Sequence, residues 1–153
     1  MNIYRDNWQR YLDLGFKPYP TPRNMKGPVI KWKEEFPPEK VDMAQCQKWA
    51  QEFPNYNVWV VIGDKCVIDP DHPDAEVFAR SLNLPPCPTS ISGGDSIHRW
   101  GLAPAGVKAL KVTNGGDDTY IEFRTGNMGM LVPPSIHPVT KRPYRWDKGR
   151  YRT

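Results

Sequence analysis

The chain has 153 residues, 39% of them hydrophobic and 25% charged, with a formal net charge of +4. That length fits one domain with a working core, and the composition argues against intrinsic disorder. No apolar run approaches the ~18 residues of a membrane span, and Met1 to Asp6 lack a signal peptide's apolar core, so the sequence reads as cytoplasmic and membrane-free. Cys46, Cys66 and Cys87 form no Cys-x-x-Cys pair, which leaves reduced thiols and no zinc site or disulfide framework.

Asp6 is placed to cap a first helix with Trp8, Tyr11 and Leu12 on one face and Gly15 at its end. Phe16 to Tyr19 reads as a short strand, and Pro20 to Pro38 as a long ordered loop interrupted by Val29-Ile30-Lys31-Trp32. Asp42 with Gln45 resembles a capping box opening a second helix, with Met43, Cys46, Trp49, Ala50 and Phe53 as its buried stripe. Val58–Ile62 and Cys66–Ile68 are expected as two strands joined by a hairpin turn at Gly63-Asp64. Asp74 is expected to cap a third helix that buries Ala75, Phe78, Ala79 and Leu82. The remaining strands fall at Thr89–Ser92, His98–Trp100, Tyr120–Arg124, Met128–Val132 and Tyr144–Trp146, with a turn at Asn114 to Asp118. Helices early and antiparallel strands late favour an α+β fold, one domain over residues 1–153.

Four segments carry chemistry. Asp69 and Asp71 stand one residue apart at the end of an apolar run, so in a strand they project to one side. Two such carboxylates repel unless a cation lies between them, and oxygen donors suit Mg²⁺ or Mn²⁺; a solvated turn or helix cap is the plainer account. Ser92-Gly93-Gly94 with His98 offers a close-approach backbone, a hydroxyl and an imidazole to a phosphate, or simply a glycine-bearing turn. Glu122 alternates with Ile121 and Phe123 and shares its face with Arg124, as a third carboxylate or as half of a cross-strand ion pair. Pro133-Pro134-Ser135 followed by a basic, aromatic stretch suits nucleic-acid backbone contact, or a rigid proline loop. Lys17 to Lys33 and the tail from Lys141 are both basic, flanking an acidic centre. Such charge suits a polyanion or two solvated surface segments, and Lys26, Lys31, Lys141, Arg142 and Arg145 are the candidate nucleic-acid contacts.

The order of these segments from Leu12 to Trp146 resembles the bifunctional primase-polymerase (prim-pol) domain of the archaeo-eukaryotic primase superfamily, found in replication proteins of phages, plasmids and other mobile elements. The resemblance runs through Lys26-Gly27-Pro28 with Trp32, Trp49 and Pro54, Asn57, Asp69-x-Asp71, Ser92-Gly93-Gly94 with His98, Glu122, Pro133-Pro134-Ser135 with His137, and Tyr144-x-Trp146. It implies an RRM-like catalytic sheet beside a smaller N-terminal αβ lobe, and template-directed nucleotidyl transfer by two divalent ions on Asp69, Asp71 and Glu122. Ser92, Gly93, Gly94 and His98 would bind the incoming nucleoside triphosphate. Single-stranded DNA template and primer are the implied partners, with a helicase or helical accessory domain supplied elsewhere if the domain is an excised one. A non-catalytic nucleic-acid or nucleotide binder in replication initiation, and a metal-dependent nuclease, are the alternatives. Pro70 departs from the family's usual aliphatic residue and requires a strand edge or end. Gly129 is expected to leave space beneath the nucleotide's sugar, or to mark a strand bulge.

Overall fold

The computed structural model describes residues 1–116 and 118–147. Helix α1 (Ile3–Asp13) starts a turn earlier than Asp6 suggests. Asn2 is the cap residue, and the Asp6 carboxylate reaches back to accept from the Asn2 N–H at 3.1 Å. Its end is as expected. Gly15, at φ +85°, lets its own N–H reach the Leu12 carbonyl while the Phe16 N–H reaches that of Tyr11, closing the last turn.

Strand β1 (Lys17–Thr21) carries Pro18 and Pro20 at alternate positions, which an edge strand tolerates. Residues 22–37 form no strand, and Trp32 and Phe36 pack against the core from this loop. Asp42 Oδ1 accepts from the Gln45 N–H at 2.8 Å to start α2 (Met43–Glu52). Cys46, Trp49 and Ala50 are buried as expected, whereas Met43, in the first turn, faces outward.

The expected hairpin at Gly63-Asp64 does not form. Residues 57–70 make one long strand, β2 (Asn57–Pro70), and residues 119–131 make another, β6 (Thr119–Leu131), where two strands were expected. The two run antiparallel along most of their length. Gly63, at φ +68°, faces Gly126, at φ +65°, and the register slips on either side of that pair. The residues that resemble a tight turn are a β-bulge, because both halves of β2 find the same distant partner.

The other elements are α3 (Pro73–Ser81), β3 (Thr89–Ile91), β4 (Ile97–Leu102), β5 (Leu110–Thr113) and β7 (Arg145–Trp146). The sheet order is β5-β6-β2-β4-β3-β7, with β1 added beside β2, and every pairing is antiparallel. This is an α+β fold, and β5 is the strand that the sequence pattern did not reveal. Helix α3 is capped by His72, whose Nδ1 accepts from the Asp74 N–H at 3.2 Å, rather than by Asp74. It buries only Ala75 and Ala79, leaving Phe78 and Leu82 exposed.

Successive residues of β2 and β4 divide the sheet. Val67 joins the large aromatic core made with α1 and α2, while Ile68 joins the small cluster of Ala75, Ala79 and Ile121 under α3. In β4, Arg99 turns to α3 and pairs with Glu76 at 2.9 and 2.6 Å, so His98 turns to the opposite face. That face carries the site.

Candidate active site

Asp69 of β2 lies directly opposite Glu122 of β6, so the two carboxylates share a face and a position along the sheet. Pro70 is the last residue of β2, where its missing N–H is tolerated, and the Asp71 N–H donates to the Tyr120 carbonyl at 3.0 Å. The chain therefore stays extended for one further residue, and Asp71 returns to the side of Asp69. One oxygen from each of Asp69, Asp71 and Glu122 lies within 4.8 Å of the others.

Basic side chains surround the most buried member. His98 Nε2 is 3.2 Å from Asp69 Oδ1, and Arg124 Nε is 3.2 Å from Oδ2. Arg124 Nη2 also lies 2.5 Å from Glu122 Oε2. Burial pushes the Asp69 carboxyl up, but His98 first and then Arg124 and Lys26 hold it below the usual carboxylate range. Asp71 moves the other way, raised by burial and then by the charges of Asp69 and Glu122.

Three hard carboxylate oxygens converging on one point fit a divalent cation. Asp69 Oδ1 supports the fit, because it is buried and has no aligned hydrogen bond among the described residues. A divalent metal can be held by Asp69, Asp71 and Glu122. Cys46 and Cys66 are buried and Cys87 is half-buried, and none belongs to this group.

Asp69 and Asp71 line a cavity of about 150 Å³. Ser92, at the end of β3, accepts from the Gly94 and Ser96 N–H groups, each at 3.1 Å, which leaves its own proton free to donate into the cavity that it lines. Gly94 is exposed on this loop, but Gly93 is not. A Cβ at Gly93 would collide with the Arg142 carbonyl and the His137 side chain, so that glycine lets the 137–142 loop dock; the Thr140 hydroxyl donates to its carbonyl at 2.8 Å. His98 is buried on the cavity wall, its Nδ1 without a hydrogen bond among the described residues.

Among the wall residues outside the expected nucleotide contacts are His137, Tyr144 and Arg124. His137 accepts from the Val139 and Thr140 N–H groups at Nδ1 (both 3.2 Å) and stacks on Tyr144 with ring centres 5.9 Å apart. Burial, and then Lys26, Arg142 and Lys141, make its ring harder to protonate. The Tyr144 phenol is pushed up to about 12 by burial and by Asp69, and keeps its proton. Arg124 is the third, visible in the sequence only as the residue that shares Glu122's face.

Among the expected nucleic-acid contacts, Lys26 lines this cavity. Lys31, Lys141, Arg142 and Arg145 are exposed, and Arg142 is paired with Asp95 at 2.9 Å. Gly129 lines the cavity, but the side of the strand that its own side chain would take is occupied. A Cβ there would fall within the Trp59 ring, so the space on that side of the strand is already filled by an aromatic side chain.

An antiparallel α+β fold thus brings together three carboxylates that could hold a divalent ion, beside a cavity lined by hydroxyl, imidazole and cationic groups. Residues 8–152, nearly the whole chain, match the family described as "Bifunctional DNA primase/polymerase, N-terminal" (Prim-Pol), and the chain belongs to it. No curated protein matches the chain. No helix among the described residues is long and apolar enough to cross a membrane.

Proposed function

We propose that this domain is a DNA-directed nucleotidyltransferase, a primase-polymerase of a phage, plasmid or other mobile element, working with two Mg²⁺ or Mn²⁺ ions. The observation that carries the reading is the register Asp69 to Glu122 across β2 and β6, with Asp71 returning beside them at the mouth of a cavity suited to phosphate. Asp69, Asp71 and Glu122 hold the metal. When bound, divalent ions lower the pKa of an attacking hydroxyl and neutralise charge on phosphate oxygens.

The remaining work falls to the chain itself. Lys26 supplies a point charge, and the Ser92 hydroxyl and the His137 ring direct hydrogen bonds toward the triphosphate. The protonated Tyr144 phenol and the His98 ring wall the space beside Asp69 and limit water there. Lys31, Lys141, Arg142 and Arg145 provide sequence-independent contact with the phosphates of a single-stranded template or primer. A helicase or accessory domain would act in trans or from another part of the same protein.

The test is incubation with a primed template, separate deoxyribonucleotide and ribonucleotide pools, and Mg²⁺ or Mn²⁺. Primer extension that requires nucleoside triphosphates is the expected result. Degradation of labelled DNA without nucleotides would replace this reading with a nuclease, and retention in a gel without synthesis would replace it with a non-catalytic binder.

A further inference from the structure

Arg124 lies two residues beyond Glu122 on β6, and therefore on the same face. Its guanidinium spans two of the three carboxylates, with Nε 3.2 Å from Asp69 Oδ2 and Nη2 2.5 Å from Glu122 Oε2. It is thus a monovalent cation held by the same groups that would hold a divalent one. The grip is loose. Nε makes no aligned hydrogen bond among the described residues, Nη1 makes a long one of 3.3 Å to the Gly129 carbonyl, and a quarter of the side chain is exposed. Arg99, on the other face, shows what a fixed pair looks like here, with 1% side-chain exposure and two short bonds to Glu76.

Charge requires that something neutralise three carboxylates this close. The oxygens that Arg124 engages cannot give their full interaction to a guanidinium and to a divalent ion at once. Arg124 also lines the cavity shared by Lys26, Ser92, Ser96 and His137, within reach of where phosphate oxygens would lie.

We propose that Arg124 is an exchangeable counter-ion that holds the carboxylate triad together in the metal-free protein, releases Asp69 and Glu122 when the triad holds a divalent ion, and then binds the triphosphate. This rests on the reading of the triad as a nucleotidyl-transfer site. Arg124 then couples the two ligands. It opposes metal when no nucleotide is present and favours nucleotide once metal is in place, because a guanidinium freed from carboxylates pairs bidentately with phosphate.

Binding of Mn²⁺ alone, followed by calorimetry or by the electron paramagnetic resonance of the free ion, is compared for the wild type, Arg124→Gln and Arg124→Lys. Binding of a non-hydrolysable α,β-methylene deoxynucleoside triphosphate is then measured at saturating Mn²⁺. Arg124→Gln should bind Mn²⁺ about tenfold or more tightly than the wild type, the scale on which a charge at hydrogen-bonding distance biases a carboxylate. The same variant should bind the triphosphate about tenfold or more weakly, having lost a charge-assisted pair. Arg124→Lys keeps a charge that cannot span both carboxylates, so it should shift both affinities the same ways by less, and it carries the test if the Gln variant does not fold. A merely structural arginine would weaken both ligands together, and that result, or an unchanged Mn²⁺ affinity, would overturn the proposal. The double variant Asp69→Asn/Asp71→Asn separates this from failure of the site itself, since undiminished Mn²⁺ binding there would show that the triad is not the metal site at all.

Discussion

Replacing Ser135 with alanine would show how the site is tied to the fold. Ser135 is fully buried, and its hydroxyl accepts from the Val58 N–H at 2.9 Å while donating to the Val58 carbonyl at 3.1 Å. The need for it follows from the chain's path. Strand β6 ends at Leu131, and although the Val132 N–H still donates to the Val58 carbonyl at 3.1 Å, the chain then turns through Pro133 and Pro134, so a side-chain hydroxyl accepts from the Val58 N–H in place of a backbone carbonyl. Alanine leaves the Val58 N–H buried without that acceptor, a loss of about 1–3 kcal/mol. In a chain of this size each kcal/mol lowers the melting temperature by about 2–4 °C, so the expected fall is roughly 2–12 °C. Thermal unfolding in metal-free buffer, followed by circular dichroism or calorimetry, measures it. Ser135 also starts the segment that carries His137 and Tyr144 to the cavity, so the nucleotide KM should rise in the same variant. A melting temperature within about a degree of the wild type would refute the reasoning.

Asp71→Asn should abolish nucleotide incorporation yet leave the metal-free protein at least as stable at pH 7. The folded pKa of Asp71 is raised by burial, Asp69 and Glu122, so its ionised form weighs against the fold; the advantage of the variant should vanish as pH falls below about 4, and denaturant melts across that range check it. Gly129→Ala should destabilise by about 1–3 kcal/mol through collision with the buried Trp59 ring, and Trp59→Leu in the same chain should offset part of that loss rather than add to it, as a double-mutant cycle of melting curves would reveal. Burial raises the Cys46 thiol from 9.0 to about 11 and the Tyr11 phenol from 10.0 to about 12. The folded state holds these protons more tightly than the unfolded one, so stability present below pH 9 should be lost as pH rises toward 12, and native Cys46 should resist alkylation until that unfolding begins.

The acidic pair was legible because a strand's period of two and a preceding apolar run are local facts, and both survive in β2. Glu122 could be assigned a face by the same alternation. Its position opposite Asp69 could not, since strand register joins residues about fifty positions apart and no local pattern encodes it. The same limit explains the lost hairpin. Gly63-Asp64 has the chemistry of a tight turn and equally of a bulge, and only the glycine facing it in β6, Gly126, decides between them. Helix α3 misled for a different reason. It meets the sheet through Ala75 and Ala79 alone, so the larger Phe78 and Leu82, which dominate a hydrophobic pattern, lie off that narrow seam.

Strand β2 also shows why the site sits where it does. Its first half, Val58 to Ile62, is apolar and buried throughout, and the aromatic core there tolerates no charge. Seven residues beyond Ile62, Asp69 is only 5% exposed on the same strand. A lone carboxylate at that depth would cost several kcal/mol, far more than the strand's local preferences supply. Asp69 is tolerable because β4 brings His98, β6 brings Arg124 and the 22–37 loop brings Lys26 to its side, each from a different part of the chain. The charges of Arg124 and Lys26, with the His98 ring against Asp69, are what the fold provides in order to bury an acidic group before any metal arrives. A sequence reading that searches for ligands finds the carboxylates and overlooks the counter-ions, because a basic residue near an acidic motif resembles any solvated surface charge until the register is known.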